Sequence, residues 1–149
     1  MKARNIMTPN PSVVTRDETI ARAATLMRDR HVDMLPVVDD LRTRHLVGVL
    51  TDRDIIVRGV AGQRDVEQPV ADLMTARPLA VVHVDTPPDE VIGLMNRRQL
   101  RRLPVLDDKE RVVGVIALAD LSKRARPPNA HGLNWARPTP SDRIPAAIK

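Results

Sequence analysis

The sequence repeats itself, and this internal repeat limits the folds open to the chain more than any other feature. The recurring segments are Ile6-Met7-Thr8 with Leu73-Met74-Thr75, Leu26-Met27 with Leu94-Met95, Leu35-Pro36-Val37 with Leu103-Pro104-Val105, and Val47-Gly48-Val49 with Val113-Gly114-Val115. They keep the same order and nearly the same spacing, which indicates two copies of one structural unit. We therefore predict repeats at residues 1–62 and 69–125, and a separate basic, Pro-rich tail at 126–149.

Both copies show the same succession of patterns, β-α-β-β-α. After a short apolar run, apolar residues at Ile20, Ala23 and Met27 form one face of an amphipathic helix. Two apolar runs joined by an Asp-rich turn then predict a strand pair. A second helix is expected to begin near Thr51 in the first copy and near Ala117 in the second.

The start of the first helix in each copy is marked less clearly than its apolar face. Thr15, Asp17 and Glu18 are all acceptable caps in the first copy, so the sequence leaves that choice open. In the second copy we predict Thr86 as the cap and Pro87 as the first helical residue.

One unit is too small to bury both faces of a three-stranded sheet by itself. We therefore predict an α/β (α+β) fold in which the two units pack sheet against sheet about a pseudo-twofold axis. This packing leaves a cleft between the copies, where a ligand would bind.

Composition excludes several classes of function. The chain has no Cys, so thiolate metal sites and thiol nucleophiles are ruled out, and its one aromatic residue cannot form a base-stacking platform. No phosphate-binding Gly-rich motif is present, and the four His are scattered, so we predict neither an enzyme nor a metal site nor a resident cofactor. No apolar run reaches the roughly 20 residues of a membrane helix, and no secretory signal is found, so a cytoplasmic protein is expected.

The net charge of +5 is concentrated in the tail. Residues 126–149 contain four basic residues and one acidic residue, so the remaining 125 residues are nearly balanced. A balanced body argues against nucleic acid as the main partner, because such proteins concentrate positive charge on one face. The basic run 97–102 keeps nucleic acid as a minor alternative.

Two motifs carry a family resemblance. The repeated Leu-Pro-Val-x-Asp-Asp segments and the Gly48, Thr51, Asp54 turn resemble a tandem pair of CBS domains, known as a Bateman module. The resemblance covers residues 1–125, and the stretch 50–59 is similar to stand-alone bacterial members of the hypoxic-response type. It implies a homodimeric sensor, not an enzyme, that binds AMP, ADP, ATP or S-adenosylmethionine between the repeats and signals through the shape of the dimer.

The Thr51 turn has its own chemical logic. Thr51 can cap the helix and donate to a phosphate, while Asp54, one turn later, can accept hydrogen bonds from both ribose hydroxyls. The alternative is a plain helix cap with favourable acidic residues in the first turn. We expect this turn to form one site together with Thr75 and Ala80 of the other copy.

The second site is expected to differ. Ala117 replaces the threonine, and only Asp120 remains of the motif. The resemblance places basic residues at the phosphate position, so the predicted group is Asp120 with Arg101, Arg102, Thr8 and Val13. Asp33 occupies the corresponding place in the first copy, where it would repel phosphate. A solvated helix end is the alternative role for the arginines.

The predicted adenine pocket consists of apolar residues from both copies: Val13, Val32, Pro36, Ala80, Leu100 and Pro104. Simple core packing is the alternative for all of them. A rival function from another class is a ligand-free dimerisation platform whose tail recruits a protein partner. Ala117 and Asp33 favour this rival because both weaken a nucleotide site.

Overall fold

The computed structural model describes residues 1–77 and 79–124, so the predicted tail lies outside the described residues. The first copy contains α1 (Ala3–Ile6), β1 (Thr8–Pro9), β2 (Val14–Thr15), α2 (Ile20–Arg30), β3 (Met34–Val38), β4 (Leu46–Thr51) and α3 (Asp52–Asp54), which continues as a π-helical segment, Ile55–Val60. The second contains a 3-10 turn (Val70–Asp72), β5 (Thr75–Ala76), β6 (Val82–His83), α4 (Pro88–Arg98), β7 (Arg102–Leu106), β8 (Val112–Ala117) and α5 (Leu118–Arg124).

The β-α-β-β-α order is confirmed in both copies. In each copy a short strand runs parallel to the first strand of the pair, and the pair itself is antiparallel. Both long helices, α2 and α4, end on a residue in the left-handed conformation, His31 and Gln99. The two halves therefore share turn geometry as well as element order.

The predicted helix starts are wrong in both copies. Thr19, rather than Thr15, Asp17 or Glu18, caps α2, and its side chain accepts a hydrogen bond from the Arg22 amide. In the second copy Pro87 holds the cap position without a side-chain bond, and Pro88 is the first helical residue. The Thr86 hydroxyl instead accepts from the His83 amide, at 3.0 Å. Several acceptable caps lie close together in the sequence, and tertiary packing selects among them.

Each sheet has four strands, and the fourth comes from the other copy. One sheet has the order β2-β3-β4-β5 and the other β1-β8-β7-β6. Thus β1 pairs with β8, and β5 pairs with β4, both antiparallel. The segment that opens each copy is exchanged with its sibling, and this exchange brings the two Met-Thr landmarks beside the opposite repeat.

The buried residues form three clusters. One belongs to the second sheet but includes Ala3 and Ile6 of α1. Another belongs to the first sheet and includes Val70 and Leu73 from the start of the second copy. The third joins the copies through Val38, Leu46, Leu106 and Val112. The predicted sheet-against-sheet packing is therefore observed, and no helix within the described residues is both long and apolar enough to cross a bilayer.

Candidate functional site

Two clefts open between the repeats at the starts of α3 and α5. The larger, here the Thr51 cleft, has a volume of about 530 Å³, within the range of small-molecule sites. Its lining residues are Asp33, Met34, Val49, Thr51, Asp52, Arg53, Asp54, Thr75, Leu79, Ala80, Arg98, Gln99, Leu100, Arg101, Arg102 and Pro104. Both repeats contribute, so this cleft exists only in the packed pair.

Thr51 and Asp54 hold each other in a reciprocal cap. The Asp54 amide donates to Thr51 Oγ1 at 3.1 Å, and the Thr51 amide donates to Asp54 Oδ2 at 2.9 Å. The Asp54 side chain is 15% exposed, so its position is fixed by the turn and by the surrounding wall. The Thr51 hydroxyl keeps its proton for donation, and the other Asp54 oxygen, Oδ1, keeps lone pairs for a ligand hydroxyl.

Arg58 supports the same corner of the cleft from the π-helical segment. Its Nε lies 3.9 Å from Asp54 Oδ1. Its Nη1 donates to the Leu73 carbonyl at 2.9 Å and to Thr75 Oγ1 at 3.4 Å. The side chain thereby links the Asp54 turn to the exchanged strand β5. Single π turns inside helices often occur at functional sites.

The predicted grouping around this cleft matches the geometry. Thr51, Asp54, Thr75 and Ala80 all line it, as expected from sequence. Leu100 and Pro104 line it too, so three of the predicted adenine-pocket residues share this cleft. Their side chains are aliphatic, so a bound base would be held there by shape and dispersion rather than by aromatic stacking.

The smaller Asp120 cleft has a volume of about 230 Å³. Its lining residues are Thr8, Asn10, Pro11, Ser12, Arg30, Val32, Met34, Arg102, Val115, Ala117 and Asp120. Thr8, Val32, Arg102 and Asp120 are therefore brought together as predicted. Ala117 lines this cleft, whereas Thr51 lines the larger one.

Three sequence-predicted positions fall elsewhere. Val13 packs against the cluster that joins the copies, and Ser12 takes its place in the cleft wall. Pro36 is buried in β3 and is not among the residues lining either cleft. The grouping of Arg101 with Asp120 is wrong, because the Arg101 side chain lines the Thr51 cleft. A strand start can direct adjacent side chains to opposite sides, and sequence spacing does not say which side meets which cleft.

Arg102 and Asp33 form an ion pair between the repeats. Arg102 Nη2 donates to Asp33 Oδ2 at 3.2 Å, and Arg102 Nε pairs with Asp33 Oδ1. Asp33 was expected to repel a phosphate as an isolated acid. In the folded chain it is neutralised by a residue 69 positions away, a contact that no local pattern predicts.

Two further arginines line the clefts: Arg30, which sequence reasoning missed, and Arg98, which it placed only in the basic run 97–102. Arg30 lines the Asp120 cleft and Arg98 lines the Thr51 cleft. Each is the last residue of a long helix, α2 or α4, and the two are equivalent in the repeat. This equivalence was available in the sequence, since both lie at the same distance before the Leu-Pro-Val landmark.

Comparison with known proteins agrees with the presence of two repeats. A family model of the CBS domain matches residues 3–60 and 70–126. The uncharacterized protein YlbB of Bacillus subtilis is 39% identical over 121 residues, 81% of this chain and 80% of its own. Hypoxic response protein 1 of Mycobacterium tuberculosis is 32% identical over 121 residues, 81% and 82% of the two chains.

Solved structures show the same fold. Hypoxic Response Protein I with two coordinated zinc ions has a TM-score of 0.75 at 31% identity, over 83% of this chain and 98% of its own. CBSX2 in complex with AMP gives 0.71 at 30% identity, over 83% and 95%. The CBS domain pair of MJ0100 in complex with 5'-methylthioadenosine and S-adenosyl-L-methionine gives 0.73 at 28% identity, over 83% and 98%.

Proposed function

The chain belongs to the CBS domain family, and from this premise we propose that it is a regulatory sensor that binds an adenosine ligand in the Thr51 cleft. The ligand class is an adenine nucleotide (AMP, ADP or ATP) or S-adenosylmethionine. One observation carries the proposal: the reciprocal Thr51–Asp54 cap lines the same cleft as Ala80, Leu100 and Pro104 of the other repeat. No catalytic step is part of this function.

The cap offers the chemistry that an adenosine requires. A carboxylate accepts hydrogen bonds only, so Asp54 Oδ1 suits a ribose diol, which presents two donors. The Thr51 hydroxyl can donate to a phosphate or a ribose oxygen. Arg98 and Arg101 add positive charge at the same cleft, and guanidinium groups match phosphate geometry. Two structural neighbours, CBSX2 and the MJ0100 pair, were crystallised with AMP and with S-adenosyl and methylthioadenosine ligands.

We propose the Asp120 cleft as a second and weaker site. It contains an acid at the ribose position but has Ala117 where the Thr51 cleft has a hydroxyl. A lost neutral hydrogen bond costs about 0.5–1.5 kcal/mol. Because the volume of this cleft is smaller, we expect only part of a ligand to lie inside it while the rest extends into solvent.

Calorimetric titration with AMP, ADP, ATP and S-adenosylmethionine tests the sensor. Asp54→Asn keeps an oxygen that can accept from the Thr51 amide but loses the charge, so we expect ligand affinity in the Thr51 cleft to fall about tenfold or more. Asp17→Asn, an exposed change in the same repeat, should bind as the unmodified chain does. No heat with any of the four ligands at millimolar concentration would refute the proposal.

We further propose that the chain is a homodimer whose shape reports ligand binding. Ile56, Val57 and Val60 are 61%, 49% and 72% exposed on the π-helical segment that follows the Thr51 turn. Clustered exposed apolar side chains mark an interaction surface. A second copy on this surface would be mechanically linked to the cleft through Asp54 and Arg58. Ligand binding would therefore change the shape of the dimer. We place this signalling role in the cytoplasm.

The dimer is tested by sedimentation of the Val60→Glu variant. We expect the unmodified chain to sediment as a dimer and the variant as a monomer, because a charge would have to be buried without a partner. Leu41→Glu is the matched control, since Leu41 is 61% exposed in the turn between β3 and β4. If Val60→Glu still sediments as a dimer, this surface is not the dimer interface.

The rival is a ligand-free platform that dimerises and recruits a protein partner through residues 126–149. The exposed apolar surface supports it as much as it supports the sensor. Removing residues 126–149 separates the two, because a platform loses its partner while a sensor keeps its ligand. Nucleic-acid binding through 97–102 is disfavoured, since Asp33 already pairs with Arg102.

A further inference from the structure

Arg102 lies where the two clefts meet. It is the first residue of β7, and its side chain lines both the Thr51 cleft and the Asp120 cleft. Met34, its equivalent in the first repeat, also lines both, but it carries no charge. Among the residues that line the two clefts, Arg102 is thus the one ionised side chain common to both.

The resting partner of Arg102 is Asp33, which lines the Thr51 cleft. The side chains of the pair are 38% and 50% exposed. Ion pairs this exposed are weak, because water and salt screen them and two side chains must be ordered. A bound anion can therefore compete with Asp33 for the guanidinium.

The two clefts differ in how many other arginines accompany Arg102. The Thr51 cleft is lined by three other arginines, Arg53, Arg98 and Arg101, and by three acids, Asp33, Asp52 and Asp54. The Asp120 cleft has one other, Arg30, and it also contains the acid Asp120. If Arg102 turns toward the Thr51 cleft, the Asp120 cleft loses half of its positive groups.

We propose that Arg102 is a counter-ion shared by the two clefts, so that an anionic adenosine ligand in the Thr51 cleft lowers the affinity of the Asp120 cleft for a second anion. One guanidinium cannot neutralise two phosphates at once, so the ligand that binds first in the Thr51 cleft keeps Arg102 as its counter-ion. An uncharged adenosine ligand does not form an ion pair with Arg102, so its binding in one cleft does not affect its binding in the other. The inference rests on the proposed ligand function.

Calorimetry with AMP and with uncharged 5'-methylthioadenosine tests the shared counter-ion. The affinity of the Asp120 cleft is measured twice, in the unmodified chain after the Thr51 cleft has filled, and in the double variant Thr51→Ala/Asp54→Ala, which lacks both side chains of the cap in the Thr51 cleft. For AMP we expect binding about fivefold weaker in the unmodified chain. For 5'-methylthioadenosine we expect the two values to agree.

Arg102→Gln should abolish the difference for AMP. Arg101→Gln, a matched change at the neighbouring residue, should weaken AMP in the Thr51 cleft and leave the difference in place. Asp33→Asn provides a second variant, and it should strengthen the first AMP event because the competitor for Arg102 is gone. Thermal unfolding of each variant confirms that it is folded.

Two results would overturn the inference alone: a difference of the same size for the uncharged ligand, or a difference for AMP that survives in Arg102→Gln. The latter would indicate direct repulsion between the two phosphates. By contrast, binding of neither adenosine to the unmodified chain would refute the proposed function, and this inference with it.

Discussion

Two glycines permit the close approach of the exchanged strands. A Cβ added at Gly48 would lie 2.8 Å from the Thr75 carbonyl oxygen and 2.8 Å from Met74 Sδ. The three atoms nearest to a Cβ added at Gly114 all belong to the Met7 side chain, and Sδ is the nearest of them. The Val-Gly-Val landmark of each repeat therefore marks the place where the other copy's Met-Thr segment lies against the sheet.

We expect Gly48→Ala to lower the free energy of unfolding by about 1–3 kcal/mol, because the backbone at Thr75 must move. Gly114→Ala should cost less, since much of the Met7 side chain can rotate away. Urea unfolding of both variants measures the difference. If Gly48→Ala leaves the free energy of unfolding unchanged, β5 can move away at no cost, and the close approach of Thr75 to Gly48 is contradicted.

Individual site residues differ in how far sequence alone could place them. Thr51 and Asp54 were identifiable because they are three positions apart and bond to each other through one turn. Thr75 and Ala80 followed from the repeat. Asp33 and Arg102 were not recognisable as a pair, because their contact joins strand starts in different repeats and depends on how the sheets face each other.

At the scale of elements, α1 belongs in space to the second repeat. The Ala3 amide donates to the Thr86 carbonyl at 2.8 Å, and the Arg4 amide donates to the Val84 carbonyl at 3.0 Å. The side chains of Lys2 and Arg4 both bond Asp85 Oδ1, at 2.8 and 2.6 Å. These bonds hold the first turn of the chain against the start of α4.

The hydrogen bond from Lys2, followed by that from Arg4, holds the pKa of Asp85 below its usual value. The carboxylate therefore stabilises the fold at a pH above its unfolded pKa of about 3.9, and this contribution disappears as the pH falls through the lowered folded pKa. Asp85→Asn should be less stable than the unmodified chain at pH 7, and the difference should be smaller at pH 2.5.

Urea unfolding at the two pH values measures this effect, with Asp17→Asn, the same substitution at an exposed acid, as the control. The Asp85 carboxylate is exposed, so added salt should reduce the difference at pH 7. A gap between Asp85→Asn and the unmodified chain that is equally large at low pH would exclude an ionic origin.

For the whole molecule, the repeats are covalent neighbours but not independent folding units. The core of the second sheet includes Ala3 and Ile6, and the core of the first includes Val70 and Leu73. The shared cluster of Val38, Leu46, Leu106 and Val112 adds a third connection. Each sheet, each core and each cleft is therefore completed by both copies.

We expect a fragment of residues 69–124 to lack a cooperative unfolding transition, because it loses β1 and the buried face of α1 and also exposes the shared cluster. Residues 1–124 should unfold in one cooperative step. Circular dichroism during urea titration distinguishes the two chains. A sharp transition in the short fragment would show that the exchanged segments are dispensable.

The two copies, their β-α-β-β-α order and the Thr51–Asp54 turn could be predicted from the amino-acid pattern, because periodicity and neighbouring hydrogen bonds are local properties of the chain. Three features follow from the folded arrangement instead: the copies exchange their first strands, Arg101 lines the Thr51 cleft, and Arg102 lies between both clefts bound to Asp33. These contacts join residues far apart in the chain, and their geometry is set by how two sheets pack, which no single segment specifies.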